Sequence, residues 1–334
     1  MEKVDVAIVG AGPAGLACGI EAERNGASYM IVEKGCLVNS IFHYPRDMVF
    51  FTTADLLEIG DVAWVFSPSE KPRRHDGLDY YRRVVDRWNL NIRDYTRVLS
   101  VDGQKDRFRL MLKPEDLNGN SSVEMIEARR VILAIGYYDN PNYIGIPGED
   151  LPKVSHYFDE VHPFFRKKVA VIGAKNSAAQ AALLLYRSGA EVTLIHRGAE
   201  LSTQIKYWIL PDIQNRIKNK QVRALFNTVV TRIEPKRIWV RTGEEEEALE
   251  NDYVFALTGY HPDNDFMSRI GVAIDPETCA PQHDPETLET NVPGIYVAGG
   301  MVSGKFTNKI FIENGRFHGT QIFDSPGFRD IGRR

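Results

Sequence analysis

The chain has 334 residues, 43% of them hydrophobic and 26% charged, with a net charge of −4 and an isoelectric point near 6.1. This composition is typical of a globular enzyme, and the length favours two domains. The weakly acidic balance indicates neither a nucleic acid nor a membrane as partner, and no apolar run reaches the roughly 20 residues of a membrane helix. A strand pattern begins close to Met1, so we expect no signal peptide and a cytoplasmic location.

A glycine-rich turn follows the first predicted strand. Residues 4–9 form an apolar run typical of buried parallel strands, and directly after it stands Gly10-Ala11-Gly12-Pro13-Ala14-Gly15. In a dinucleotide-binding unit, Gly10 permits the tight turn, Gly12 lets the backbone approach a pyrophosphate, and Gly15 lets the helix pack on the strand. This pattern therefore predicts a first dinucleotide site.

The elements after the turn complete the same unit. A helix predicted at about residues 13–25 would aim its N-terminal N–H groups at the phosphates. A strand over residues 28–32 then ends at Glu33, whose carboxylate would accept a hydrogen bond from a ribose hydroxyl. The Gly-Pro form of the turn, with Glu33 followed by Lys34, resembles the FAD site of flavoproteins that bind two dinucleotides.

The next stretch predicts an antiparallel meander and the end of a domain segment. Residues 98–132 alternate apolar and polar side chains, with a turn at residues 117–120. The apolar run 131–136 ends at Gly136 and is followed by Tyr137, as in strands that close the first FAD segment of this fold class. Residues 141–152 are rich in Pro, Gly and Asn and are predicted to be a linker.

A second dinucleotide unit begins about 160 residues after the first. A strand at residues 167–172 precedes a helix at 175–188, with the turn Gly173-Ala174-Lys175-Asn176-Ser177-Ala178 between them. Lys175 replaces the usual second glycine. The next strand, 191–195, ends in His196 and Arg197 rather than in an acid. Because a cation at this point suits a 2′-phosphate, the sequence favours NADPH over NADH.

The last third of the chain predicts a return to the FAD domain. The acidic run 244–247 is expected to be a solvated loop, and the strand 253–259 matches the one that ends at Gly136. The last FAD element is predicted at residues 294–300 and ends in Gly299 and Gly300, with Gly300 at the place where most flavoproteins of this class carry an aspartate. A helix predicted over residues 308–323 would bring Ile310 to the flavin.

These elements together predict an α/β protein with two Rossmann-like dinucleotide-binding domains in a thioredoxin reductase-like arrangement. The FAD-binding domain is discontinuous and comprises residues 1–150 and 260–334. The NADPH-binding domain, residues 151–259, is inserted in it.

Nearly the whole chain resembles the bacillithiol disulfide reductase (bacilliredoxin reductase) family of thioredoxin reductase-like flavoproteins. Distinctive matching motifs are Lys71-Pro72-Arg73-Arg74, Tyr80-Tyr81-Arg82, the second glycine turn, Trp208-Ile209-Leu210-Pro211, Gly259-Tyr260-His261-Pro262-Asp263 and Ile310-Phe311-Ile312-Glu313-Asn314-Gly315. The resemblance implies FAD and NADPH as cofactors, a homodimer, and reduction of a small-molecule disulfide such as bacillithiol disulfide.

The cysteines set this chain apart from well-known members of that family. Those members carry a cysteine where this chain has Ala14, and Cys18, Cys36 and Cys279 form neither a Cys-x-x-Cys pair nor a zinc-ligand pattern. The catalytic residues therefore stay unassigned, with His261, Tyr137 and Cys18 as candidates.

Three other functions remain open at this point. Ala14 favours a flavoprotein that passes electrons to a redox carrier protein such as ferredoxin, to a quinone or to oxygen. Residues 156–165 loosely resemble a segment of flavin monooxygenases, without the glycine expected there. A redox-silent binding module is the third, and NADPH consumption distinguishes it from all the others.

Overall fold

The computed structural model describes residues 1–65, 71–115 and 122–332, and the chain divides into two compact units. Unit 1 consists of Met1–Asn140 and Tyr260–Arg334, and unit 2 of Pro141–Gly259. Within the described ranges, no helix combines the length and the apolar character needed to cross a membrane. The turn predicted at residues 117–120 lies outside the described residues.

The strands and helices are numbered in chain order. The strands are β1 (Glu2–Val9), β2 (Tyr29–Val32), β3 (Ile92–Arg93), β4 (Thr96–Gln104), β5 (Arg107–Pro114), β6 (Glu124–Leu133), β7 (Val154–Ser155), β8 (Lys168–Ile172), β9 (Glu191–Ile195), β10 (Arg223–Leu225), β11 (Thr228–Glu234), β12 (Arg237–Thr242), β13 (Glu245–Glu250), β14 (Tyr253–Ala256) and β15 (Ile295–Val297). The helices are α1 (Pro13–Arg24), α2 (Asn39–Phe42), α3 (Arg74–Trp88), α4 (Asn176–Arg187), α5 (Leu210–Lys218), α6 (Asn264–Arg269), α7 (Ile312–Gly315) and α8 (His318–Phe323).

Unit 1 is built on one sheet of order β3-β2-β1-β6-β5-β4, in which β15 also pairs with β6. Strand β1 pairs in parallel with β2 and β6, and β15 pairs in parallel with β6. Strand β5 pairs antiparallel with both β4 and β6, which confirms the predicted meander. The central strands are apolar and fully buried on both faces, as parallel strands covered by helices must be. Their carboxyl ends present the first glycine turn at one edge of the sheet.

Unit 2 contains a parallel sheet of order β10-β9-β8-β14-β7 and an antiparallel sheet β11-β12-β13. The prediction of a loop was wrong for residues 245–247, which begin β13, although they are exposed to solvent as expected. Arg241 lies opposite Glu246 and Arg237 lies opposite Glu250 on the neighbouring strand β12. Opposite charges across a ladder stabilise the pairing, which compensates for the repulsion within the run.

The first boundary between the units lies after Asn140 rather than after residue 150. The predicted linker is packed into unit 2, because Ile233 N–H donates to the Pro147 carbonyl at 2.9 Å. A Cβ at Gly148 would lie 2.0 Å from the Ile233 oxygen, so the backbones touch there. The Ile146 side chain packs against an apolar cluster of unit 2 that contains Ile233. Which cofactor each unit takes remains a prediction from its glycine turn.

The helix predicted over residues 308–323 is instead two short helices, α7 and α8. The first of them begins at Ile312 rather than at residue 308, because the Asn314 side chain accepts from Phe311 N–H at 2.7 Å and donates to the Lys309 carbonyl at 3.0 Å. After a break at residues 316 and 317, α8 packs closely on α1, where a Cβ at Gly319 would lie 2.8 Å from the Ala17 oxygen. The helix N-terminus predicted at residue 308 is therefore not formed there.

A buried arginine fastens the C-terminal segment to the sheet of unit 1. Arg130, on β6, is 1% exposed. Its guanidinium donates to Asp106 at 2.6 Å, to Asp330 at 3.1 Å and to the Gly327 carbonyl at 3.0 Å. Arg129 adds an ion pair to Asp330. Because Arg130 bonds both Asp106 and the C-terminal segment at Gly327 and Asp330, its loss affects both parts of the chain.

We expect Arg130→Ala to lower the free energy of unfolding by about 3 kcal/mol, since it removes a buried charge network and leaves a cavity. Asp330→Ala should cost about 1 kcal/mol or less, because Asp330 is 53% exposed and Arg130 keeps Asp106. Urea unfolding followed by circular dichroism measures both variants. Equal losses in the two variants would contradict a central role for Arg130.

Candidate dinucleotide-binding sites

The first glycine turn connects β1 to α1 through very close backbone contacts. Gly10 has φ 109°, and a Cβ there would lie 2.4 Å from the Ala134 oxygen. A Cβ at Gly15 would lie 1.9 Å from the Gly10 oxygen. Gly12 differs, because a Cβ there meets no atom within 4 Å. The turn is therefore tight on the protein side and open where a pyrophosphate would approach.

Pro13 and Ala14 begin the helix that follows. Pro13 occupies the first helical position, where its missing N–H costs no hydrogen bond, and the preceding Gly12 offers no capping side chain. The first N–H groups of α1 are therefore suited to donate hydrogen bonds to phosphate oxygens. Ala14 is half-buried, and a Cβ on Gly299 would lie 2.8 Å from the Ala14 Cβ, so this position faces the last glycine pair of unit 1.

Glu33 stabilises the turn itself. Its carboxylate accepts from Ala11 N–H at 2.8 Å and from Gly35 N–H at 2.9 Å, and burial raises its pKa. Each oxygen keeps a lone pair for a further donor such as a ribose hydroxyl. Lys34 forms an ion pair with Asp139 at 2.8 Å, so its charge is engaged within unit 1.

Three glycines predicted for the flavin end are brought to the same region. Gly136 has φ 64° with open space at its Cβ position, and Gly299 has φ 76°. A Cβ at Gly300 would lie 2.6 Å from the Tyr137 ring and 3.5 Å from the Ile310 oxygen. Tyr137 thus fills the space that a side chain at position 300 would need, which explains why no aspartate stands there.

Tyr137 is held in that position by a hydrogen bond. Its hydroxyl donates to the Thr307 carbonyl at 3.3 Å, and burial raises its pKa to about 12. It therefore stays protonated at neutral pH. The side chain connects the end of β6 with the loop that carries Ile310.

Sequence reasoning missed His318. Its Nδ1 accepts from Gly299 N–H at 3.0 Å, and burial, with the charge of His283, lowers its pKa to about 4. The imidazole is therefore neutral and fixes the backbone of Gly299. No local pattern marks this role, because the contact joins α8 to a glycine 19 residues earlier.

Aromatic side chains cluster close to the candidate His261. The Tyr138 ring packs edge-on against Tyr44, with centroids 4.9 Å apart, and in a tilted arrangement against Tyr260, with centroids 4.7 Å apart. His261 Nδ1 lies 2.7 Å from the Pro262 carbonyl. A carbonyl only accepts, so Nδ1 carries the hydrogen and the lone pair of Nε2 is left for another donor.

The cysteines offer no redox pair. Cys18 is fully buried, and burial together with Glu21 raises its pKa to about 12, so a thiolate is not populated at neutral pH. Cys36 is half-buried and its Sγ lies 3.7 Å from Asn39 Oδ1, and burial raises its pKa. Cys279 is half-buried in a loop. Across the described ranges, no group of His, Cys, Asp and Glu side chains is arranged to hold a metal ion.

The second glycine turn repeats the tight geometry in unit 2. Gly173 has φ 137°, and a Cβ there would lie 2.6 Å from the Leu257 oxygen. Lys175 precedes α4 and is exposed, as is Ser177, whereas Ala178 is buried. The Lys175 side chain is therefore accessible to solvent at the start of α4.

Two predicted phosphate-binding residues follow β9. His196 is half-buried, and burial together with the charge of Arg197 lowers its pKa, so it is neutral at pH 7. Arg197 is exposed, so its guanidinium is accessible to a ligand. The side chain of Asn176, in contrast, is bonded to the backbone of residues 204 and 206. A direct contact of Asn176 with the cofactor remains a prediction.

Comparisons with known proteins agree with this geometry. The family model described as pyridine nucleotide-disulphide oxidoreductase matches residues 7–299. Bacilliredoxin reductase Bdr of Bacillus subtilis (strain 168) is 46% identical over 316 residues, which cover 94% of this chain and 95% of the relative. The structure of bacillithiol disulfide reductase Bdr (YpdA) from Bacillus cereus has a TM-score of 0.93 and 42% identity, over 96% of this chain and 98% of that one.

A more distant structure supports the fold alone. T. acidophilum thioredoxin reductase has a TM-score of 0.71 at 22% identity, over 96% of this chain and 97% of that one. The predicted thioredoxin reductase-like α/β fold is therefore confirmed.

Gly300→Ala should weaken FAD binding about tenfold, because the new methyl group forces the Tyr137 ring to move. In a Tyr137→Ala background, the same substitution should cost less than about twofold, since the obstruction is gone. Titration of the apoprotein, followed by quenching of FAD fluorescence, measures both backgrounds. An equal cost in the two backgrounds would show that Tyr137 does not shape this position.

Arg197→Glu should lower the NADPH-to-NADH ratio of kcat/KM by more than about tenfold, because a carboxylate would repel the 2′-phosphate that the guanidinium binds. The measurement is the steady-state rate of flavin reduction with each nucleotide. Lys218→Glu, which changes an exposed cation on α5, provides the matched control. An unchanged ratio in Arg197→Glu would exclude this residue from phosphate recognition.

Proposed function

The chain belongs to the pyridine nucleotide-disulphide oxidoreductase family, and we propose that it is an NADPH- and FAD-dependent reductase of bacillithiol disulfide. Enzymes of this family use FAD and NADPH. The observation that carries the proposal is full-length similarity: the Bacillus subtilis bacilliredoxin reductase aligns over 94% of this chain at 46% identity.

The residues of both turns suit these cofactors. In unit 1, the space at Gly12 and Gly136 is open to a ligand, and Glu33 retains acceptor capacity beside it. In unit 2, Lys175 and Arg197 present exposed cations at the end of a parallel sheet. The first site suits a dinucleotide without a 2′-phosphate and the second suits one that carries it.

The reaction needs two electrons and two protons for each disulfide, which becomes two thiols. When bound, NADPH supplies a hydride and FAD passes the electron pair onward. Among the candidate residues, Cys18 is inert because its pKa is about 12. The Tyr137 hydroxyl also has a pKa of about 12, so it stays protonated, and its O–H donates a hydrogen bond to the Thr307 carbonyl. His261, whose Nε2 is not held by the Pro262 contact, is therefore the candidate best suited to donate a proton to a leaving thiolate.

Ala14 favours one alternative acceptor class. A methyl group at this position neither takes electrons nor forms a mixed disulfide, so the electron pair has no thiol relay there. A ferredoxin, a quinone or oxygen takes electrons from a flavin without such a relay. We keep a homodimer and a cytoplasmic location as parts of the proposal that rest on the family resemblance.

The test starts from FAD-loaded protein reduced anaerobically with one equivalent of NADPH. Mixing with bacillithiol disulfide should restore the oxidised flavin absorbance within the time of turnover and release two thiols per disulfide. Ferredoxin, a quinone and oxygen are mixed separately as competing acceptors. No reoxidation by the disulfide, together with fast reoxidation by one of these, would replace the proposed function with the alternative.

Ala14→Cys should raise the rate of disulfide reduction by about tenfold or more, because a thiolate near a helix N-terminus is a good nucleophile. Ala14→Ser is the matched control, since it has nearly the same size and no redox chemistry. Both variants are assayed with NADPH and bacillithiol disulfide after their FAD content is checked. An equal rise in both variants would point to packing against Gly299 rather than to the thiol.

A further inference from the structure

A segment of unit 2, residues 202–208, lies on the second glycine turn, and we call it the strap. Ser202 N–H donates to the Ala174 carbonyl at 3.0 Å. Asn176 then bonds the strap twice, accepting from Lys206 N–H at 2.9 Å and donating to the Gln204 carbonyl at 3.3 Å. Both functional atoms of the Asn176 amide are thus used to hold the strap at the start of α4.

The strap carries two large aromatic side chains on the protein surface. Tyr207 is 81% exposed and Trp208 is 41% exposed, with ring centroids 4.8 Å apart in an edge-to-face arrangement. Consecutive Cα atoms are about 3.8 Å apart, so both residues begin within about 8 Å of the Lys206 anchor. Exposed aromatic pairs of this kind are typical of surfaces that bind a partner or a ligand.

The charges around the strap indicate which ligand would fit. The strap follows β9 and the exposed cation Arg197, and it is fastened beside the exposed cation Lys175. Lys206 Nζ lies 6.0 Å from the Trp208 ring centroid. An adenosine with phosphates at two positions combines an aromatic base with anionic groups, which matches aromatic faces next to cations.

We propose that the strap binds the adenosine half of NADPH. One ring of the Tyr207–Trp208 pair stacks on the base and the other supports it edge-on. Asn176 is a positioning residue that holds the strap without touching the nucleotide. The inference rests on the proposed NADPH dependence. It is independent of which acceptor the enzyme reduces.

The first test compares NADP⁺ and 2′,5′-ADP binding to the FAD-loaded enzyme by calorimetry. The double variant Tyr207→Ala, Trp208→Ala should bind both ligands about tenfold more weakly, because both contain the adenosine half. The double variant Tyr207→Phe, Trp208→Phe should bind close to normally, since the aromatic faces remain. Tyr143→Ala removes a 72% exposed aromatic of the same unit and should leave both affinities unchanged.

The outcomes separate the alternatives. Unchanged affinity for 2′,5′-ADP in the alanine double variant would overturn the proposal. A loss for NADP⁺ alone would also overturn it, because the pair would then serve the nicotinamide half. The flavin spectrum and the thermal midpoint, expected to match those of the native enzyme, establish that the variants are folded.

The second test addresses Asn176. Asn176→Ala should weaken 2′,5′-ADP binding by about the same factor as the aromatic double variant, since it releases the strap. When Asn176→Ala is added to the alanine double variant, the affinity for 2′,5′-ADP should fall by no more than about a further twofold, because the strap then has no aromatic rings to position. A full additional loss would show that Asn176 contacts the nucleotide directly and would overturn its positioning role.

Discussion

The close backbone approach at the glycine turns is the constraint on which both units depend. At Gly15 the helix α1 touches the Gly10 carbonyl, and at Gly173 the turn touches the Leu257 carbonyl. Any side chain at these points would push the helix from the sheet. Because the strands on either side are fully buried, neither unit has room to absorb such a shift. The result in each unit is a rigid sheet edge with a helix N-terminus placed beside it.

Polar contacts within unit 1 then fix the parts of the site that glycines leave free to move. Glu33 holds the first turn through two backbone N–H groups, and His318 holds Gly299 through a third. Tyr137 packs against Gly300 and connects it to Thr307. The neutral imidazole and the protonated phenol add no charge beside Gly299 and Gly300, where the flavin end of the site is predicted.

The parts of the structure that follow from local pattern could be predicted from the sequence. Each glycine turn is marked by a strand before it and a helix after it, and the meander is marked by alternation. The strand β13 could not be predicted, because its acidic residues depend on Arg237 and Arg241 of another strand. The close packing of α8 depends on Ala17 of α1, and the engagement of Asn176 depends on Gln204 and Lys206. Such contacts join residues that no sequence window contains.

The proposed disulfide reduction proceeds without a protein thiol. Cys18 is buried and inert, position 14 carries a methyl group, and the remaining thiols form no pair. The most direct measurement is NADPH-dependent reduction of bacillithiol disulfide by a variant in which Cys18 is changed to Ala and Cys36 and Cys279 to Ser. Turnover should stay within about twofold of that of the native enzyme, at equal FAD content. Loss of turnover with FAD still bound would contradict reduction without a protein thiol.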